Sequence, residues 1–87
     1  MSQSLQRRLL ERTKQREVVN KLFQEYSDEC FDKADQGLTS YMFHLNEMKY
    51  DLKVLELLTK MFTDQNLTVH VQKIGNGLAR IKLDWKE

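Results

Sequence analysis

The sequence predicts an α+β fold, an antiparallel helical hairpin of two long amphipathic helices followed by a C-terminal two-stranded β-hairpin. Three observations carry that reading. Apolar residues recur at helical spacing over the first third of the chain, recur at that spacing over the middle, and switch to strict alternation near the C-terminus. Punctuation is sparse and therefore informative: the 87 residues contain no proline, and the three glycines stand at Gly37, Gly75 and Gly77.

Helix 1 is expected over about residues 4–36, where Leu5, Leu9, Val19, Leu22, Phe23, Tyr26, Cys30, Phe31 and Ala34 recur mostly at three- and four-residue steps. Gly37 then supplies a residue that tolerates a left-handed helix end. The chain restarts at Leu38-Thr39, with Thr39 as the expected N-cap of helix 2 and Leu38 with Phe43 as its hydrophobic staple. Helix 2 is expected over 40–65, on the stripe Tyr41, Leu45, Met48, Leu52, Leu55 and Phe62 with Met42, Val54, Leu58 and Met61 beside it. It should fray around Asp64-Gln65-Asn66, three short or polar residues at the change of period.

The β-hairpin is expected over 67–85. Leu67, Val69 and Val71 alternate with Thr68, His70 and Gln72, and Ala79, Ile81, Leu83 and Trp85 alternate with Arg80, Lys82 and Asp84. Between them Gly75-Asn76-Gly77 offers residues that accept positive φ and so close the turn. A lone two-stranded ribbon is marginal in water, so its apolar face must lie on the helices.

The length bounds the chain at one domain, residues 1–87, because two cores would each have too few apolar residues. With 14 Lys and Arg against 13 Asp and Glu, the net charge of +1 creates no global field toward a polyanion. Charged residues at 31% and apolar ones at 40% suit a folding chain. Met1-Ser2-Gln3-Ser4 leads into Arg7 and Arg8 without an apolar signal region, and the greasiest stretch, Val54 to Leu58, is interrupted by Glu56. A cytoplasmic protein that crosses no membrane is the expectation, and the glycosylation acceptor pattern Asn66-Leu67-Thr68 then has no consequence.

The residues that could carry chemistry do not assemble. Cys30 lies on the apolar face of helix 1 and reads as a core residue rather than a reactive thiol, and as the only cysteine it can form no internal disulfide. His44 falls in the first turn of helix 2 and His70 points outward from a strand, so no zinc spacing arises. Asp28, Asp32 and Asp35 form a stripe on helix 1 without the glycine and alternating acids of an EF-hand loop. Gly75-Asn76-Gly77 is a turn, lacking the Gly-Lys-Ser/Thr ending of a phosphate loop. The chain is expected to be no enzyme and to need no cofactor or metal.

Charge placement is more informative. Through Lys21, six basic residues (Arg7, Arg8, Arg12, Lys14, Arg16 and Lys21) stand against Glu11 and Glu17, a local balance of +4. From Glu25 to Asp35 five acids, Asp28, Asp32 and Asp35 among them, stand against Lys33, a balance of −4. This order opposes the helix macrodipole, so local helix stability does not explain it. A helix of about 33 residues also overshoots one of about 26, roughly 50 Å against 39 Å. The surplus runs from Ser4 to about Thr13 and carries Leu5, Leu9 and Leu10 with nothing in the chain expected to cover them.

An antiparallel homo-oligomer through helix 1 answers both features, setting each basic half beside the other copy's acidic half and burying the leucines. The partner-binding residues on this reading are Leu5, Arg7, Arg8, Leu9, Leu10, Arg12 and Arg16 with Asp28, Asp32 and Asp35. The alternative is a nucleic-acid-binding regulator whose arginines contact phosphates, against which the adjacent acidic block would act. Three leucines offer too little apolar area for insertion into a membrane surface.

The order of a charged helix, an Ala34 to Gly37 step, a second amphipathic helix and a hairpin ending Ile81-Lys82-Leu83-Asp84-Trp85 resembles small accessory proteins of tailed phages. The resemblance covers most of the chain in layout. It implies a non-catalytic role, binding and modulating a host factor, and transfers no functional residues.

Overall fold

The computed structural model describes residues 4–47, 49–50, 52–75 and 77–86. In chain order these form α1 (Leu5–Asp35), β1 (Ser40–Asn46), α2 (Leu52–Asp64), β2 (Thr68–Gly75) and β3 (Leu78–Asp84). The class is α+β, but the two helices are unequal and the sheet has three strands.

The first helix runs where its periodicity predicts. The Ser4 side chain accepts a hydrogen bond from the Arg7 amide at 3.3 Å and caps the N-terminus. At the other end Gly37 adopts φ +84°, its amide donating to the Ala34 carbonyl at 2.9 Å and the Leu38 amide to the Lys33 carbonyl at 3.0 Å. That pair of bonds is a Schellman motif.

Residues 40–46, expected as the opening turns of helix 2, are instead strand β1. Tyr41 and Leu45 are four apart, as on a helix, yet Tyr41, Phe43 and Leu45 also alternate, so both periods fit the same residues. Aromatic residues favour a strand, and β3 offers an edge to pair with. Tyr41 faces Leu83, Phe43 faces Ile81 and Leu45 faces Ala79 across the β1–β3 ladder. Thr39 is therefore no helix cap; its carbonyl accepts the Trp85 amide at 2.9 Å. The staple does not form, because Leu38 is exposed while Phe43 is buried in the sheet. His44 likewise stands on β1, facing solvent, rather than in a helix. The helical hairpin about Gly37 is thus replaced by a helix-to-strand connection.

The Asn46 carbonyl accepts from the amides of Lys49 and Tyr50, both at 3.0 Å, and turns the chain toward α2. Met48, expected on the helix 2 stripe, lies outside the described residues. Leu52, expected on that stripe, is 59% exposed at the start of α2, but beyond it the predicted apolar face holds, with Val54, Leu55, Leu58 and Phe62 buried. α2 ends at Asp64, where the change of period predicts. Asn66 takes φ +68°, its amide donating to the Thr63 carbonyl at 3.0 Å and the Leu67 amide to that of Phe62 at 3.3 Å, a second Schellman motif.

The β2–β3 hairpin forms where the alternation predicts, with a bulge between Lys73 and Gly75, although Val71, expected on the half-buried face, is 45% exposed; Asn76 lies outside the described residues. Strand order is β1-β3-β2, every neighbouring pair antiparallel. The two edge strands consequently run parallel to each other and α2 crosses between them, a split β-α-β arrangement. On the inner face Ala79, Ile81 and Leu83 are fully buried beneath Val19 and Leu22 of α1 and the apolar stripe of α2. Tyr26 stacks on Phe43 with ring centroids 3.8 Å apart, and Phe23 meets Phe62 at 4.8 Å. These contacts seat the C-terminal half of α1 on the body.

The molecule is elongated, 53 × 26 × 18 Å, with a radius of gyration of 14.8 Å. A compact domain of this length would have about 12 Å. The difference comes from α1, whose 31 residues span roughly 46 Å.

Candidate interaction surface

Val19 is the first buried residue of α1 and Gln15 the first half-buried one, so the helix projects as a bare arm over residues 5–14. On it Leu5, Leu9 and Leu10 are 67%, 55% and 51% exposed. Arg7, Arg8, Arg12 and Arg16 are exposed around them. The arm stays helical by continuity with the packed half, since extending a formed helix is far easier than nucleating one.

Asp28, Asp32 and Asp35 are exposed on the other half of the same helix. A continuous helix cannot fold back on itself, and the 16 residues from Arg12 to Asp28 separate those side chains by roughly 24 Å along the axis. The structure thus gathers the basic residues and leucines at one end, the acids at the other, and does not bring the two sets together. Among the described residues the ion pairs are Lys60 with Asp64 at 3.3 Å and Lys73 with Glu47; neither involves α1. Asp28 accepts a hydrogen bond from the Gln24 amide group at 3.0 Å. Within each block like charges recur four residues apart, as in Arg8, Arg12 and Arg16 or Asp28 and Asp32. Such pairs destabilise an isolated helix by roughly 0.2–0.5 kcal/mol each.

A second feature was not legible in the sequence. Beside the acidic half of α1 lies an open apolar groove of about 490 Å³, walled by Phe23, Cys30 and Phe31 on α1, Phe62 at the end of α2, Leu67 and Trp85. Phe31, expected on the core face, is 71% exposed at the rim of this groove. The signal available was angular: Phe31 is five residues beyond Tyr26, well off the line through Val19, Leu22 and Tyr26. The other wall could not be foreseen, because it brings α2 and the C-terminal residues beside α1. A shallower hollow of about 460 Å³ marks the junction of arm and body between Lys14, Val18, Tyr50 and Val54.

Cys30 is half-buried at the margin of the core. Burial, then the neighbouring Glu29 carboxylate, pushes its thiol up from the ordinary value, so the thiolate needed for nucleophilic work is disfavoured. Tyr26 is pushed up to about 12, chiefly by burial, with Tyr50, Tyr41 and Glu25 adding to it. The Tyr41 hydroxyl is also pushed up, by burial first and then by Glu29 and Cys30. On the outer face of the sheet His44 accepts from the Arg80 Nε at 3.4 Å, and His70 faces solvent from β2. Among the described residues no three His, Cys, Asp or Glu side chains stand close enough to share a metal ion. No described helix is long and apolar enough to cross a membrane.

No protein-family model, curated protein or solved structure matches this chain.

Proposed function

We propose that the protein is a small interaction module without chemistry of its own, self-associating through α1 and binding and modulating a partner protein. The observation that supports this reading best is the projecting arm of α1. Leucines on a rigid exposed helix supply an apolar anchor, and the arginines around them steer the encounter with an acidic surface. The resemblance of the sequence to small accessory proteins of tailed phages would make a host factor the kind of partner to seek. Nucleic-acid binding by the same arm is the second reading, favoured by the exposure of all four arginines and opposed by the acidic half of the helix.

Sedimentation of the full chain over a wide concentration range tests the first reading. The expected result is a weight-average mass that climbs from 10.4 kDa toward twice that value, with the rise abolished by Leu5→Ser, Leu9→Ser and Leu10→Ser together. A monomer at high micromolar concentration would overturn self-association. Retention of mixed DNA or RNA at low salt, falling steeply as salt is added, would favour the second reading instead.

A further inference from the structure

The groove beside the acidic half of α1 and the arm at its other end lie on one stripe of the helix. Leu9, Arg16, Phe23 and Cys30 are spaced by seven residues, close to two helical turns, so they share one side of α1 with only a slow drift. Val19 and Leu22, which α1 buries in its own core, lie to one side of that stripe. The stripe is exposed at Leu9 and Arg16 and half-covered by the body at Phe23 and Cys30, so a second helix can lie along its open side without displacing the sheet.

We infer that the occupant of the groove is the arm of a second copy of this chain, laid antiparallel along α1, each arm filling the other's groove about a twofold axis. This rests on the self-association reading above and specifies its geometry. Apolar matching is the first support: the arm exposes leucines that no described residue of its own chain covers, and the groove presents the exposed Phe31 beside a half-buried Trp85.

Charge is the second. An antiparallel pair sets the +4 half of each helix beside the −4 half of the other, whereas a parallel pair would stack like on like. With the axis at the midpoint of α1, near residue 20, Leu9 comes level with Phe31; Arg12 and Arg8 come level with Asp28 and Asp32 along the axis but on the opposite flank of the stripe, so the attraction is between whole charge blocks rather than individual pairs. Closure is the third support. Arm and groove belong to the same helix, so one twofold operation fills both grooves and covers both arms, and neither arm nor groove is left open to propagate a fibre. A foreign helix would fill a groove but leave the arm bare.

The test uses the full chain carrying Leu9→Cys beside the native Cys30, treated with a short bismaleimide. The expected product is a covalent dimer on a denaturing gel, absent from the unsubstituted chain and from L9C/C30S, whose like cysteines lie at opposite ends of the pair. Trp85, the single tryptophan, gives a second readout: its emission should shift to the blue as concentration rises, and not in L5S/L9S. In a charge-swap series, R8E/R12E should weaken self-association at least ten-fold, and mixing with D28K/D32K should restore a heterodimer. A dimer by sedimentation with no link from position 9 to Cys30 and an unmoved Trp85 would overturn the groove geometry while leaving self-association standing. A chain monomeric at every concentration would overturn both.

Discussion

The two halves of α1 are one continuous helix in opposite circumstances. Residues 18–35 lie along the body, where Val19 and Leu22 are buried and Phe23, Tyr26 and Cys30 pack against the core. Residues 5–14 are exposed throughout, although they hold three leucines. Both halves obey the same helical spacing, so periodicity does not distinguish them. What differs is whether the rest of the chain reaches that far. The 13 residues of α2 span roughly 20 Å, less than half the length of α1, and the sheet adds no cover beyond them. An apolar face on a helix thus states a need for burial without saying which molecule meets it.

That contrast can be broken most directly by truncating one leucine in each region. Leu58→Ala, at the centre of the core, should lower the unfolding free energy by about 2–5 kcal/mol, whereas Leu9→Ala should change it by less than about 0.5 kcal/mol. Urea denaturation at a concentration low enough to keep the chain monomeric measures both. A large loss from Leu9→Ala would mean that the arm belongs to the body after all.

A smaller effect is expected where the packed half ends. An alanine Cβ at Gly37 meets nothing within 4 Å, so Gly37→Ala tests the left-handed backbone alone, at φ +84°. A loss of roughly 1–2 kcal/mol in the same denaturation is expected. No change would show that the Schellman motif contributes nothing to holding α1 on the sheet.

The smallest effect concerns alkaline pH and sharpens the contrast, since it arises from the packed half. The Tyr26 hydroxyl ionises near 12 in the folded chain against about 10 when unfolded. Between those values the unfolded chain has released a proton that the folded chain retains. Stability is therefore undiminished below pH 10 and falls as pH rises from about 10 to 12. Tyr26→Phe keeps the stacking ring and should flatten this slope, leaving the smaller contribution of Tyr41, which has the same sign. An unchanged slope in that variant would place the titration elsewhere.

Much of the fold was legible in the chain because the signals were local. Ser4, Gly37 and the spacing between them define α1, and the alternation on either side of Gly75-Asn76-Gly77 defines the β2–β3 hairpin. β1 is ambiguous in the sequence because Tyr41 and Leu45 satisfy two periods at once, and the partner that chooses between them, Ile81 with its neighbours, stands some forty residues away. The exposed leucines and the opposed charge blocks were equally legible, being properties of one helix. The groove was not, since Phe31, Phe62 and Trp85 meet only through tertiary packing.

By itself, the sequence determined where helix and hairpin form, how charge divides along α1, and that leucines outnumber the cover available to them. These follow from hydrogen-bonding and hydrophobic patterns within a few turns of backbone, which need no knowledge of the distant chain. Tertiary structure alone decided that residues 40–46 join a sheet and that an apolar groove opens beside Asp28 and Asp35. Both depend on the free energy of contacts between segments far apart in sequence, and that energy exists only once the chain has brought them together.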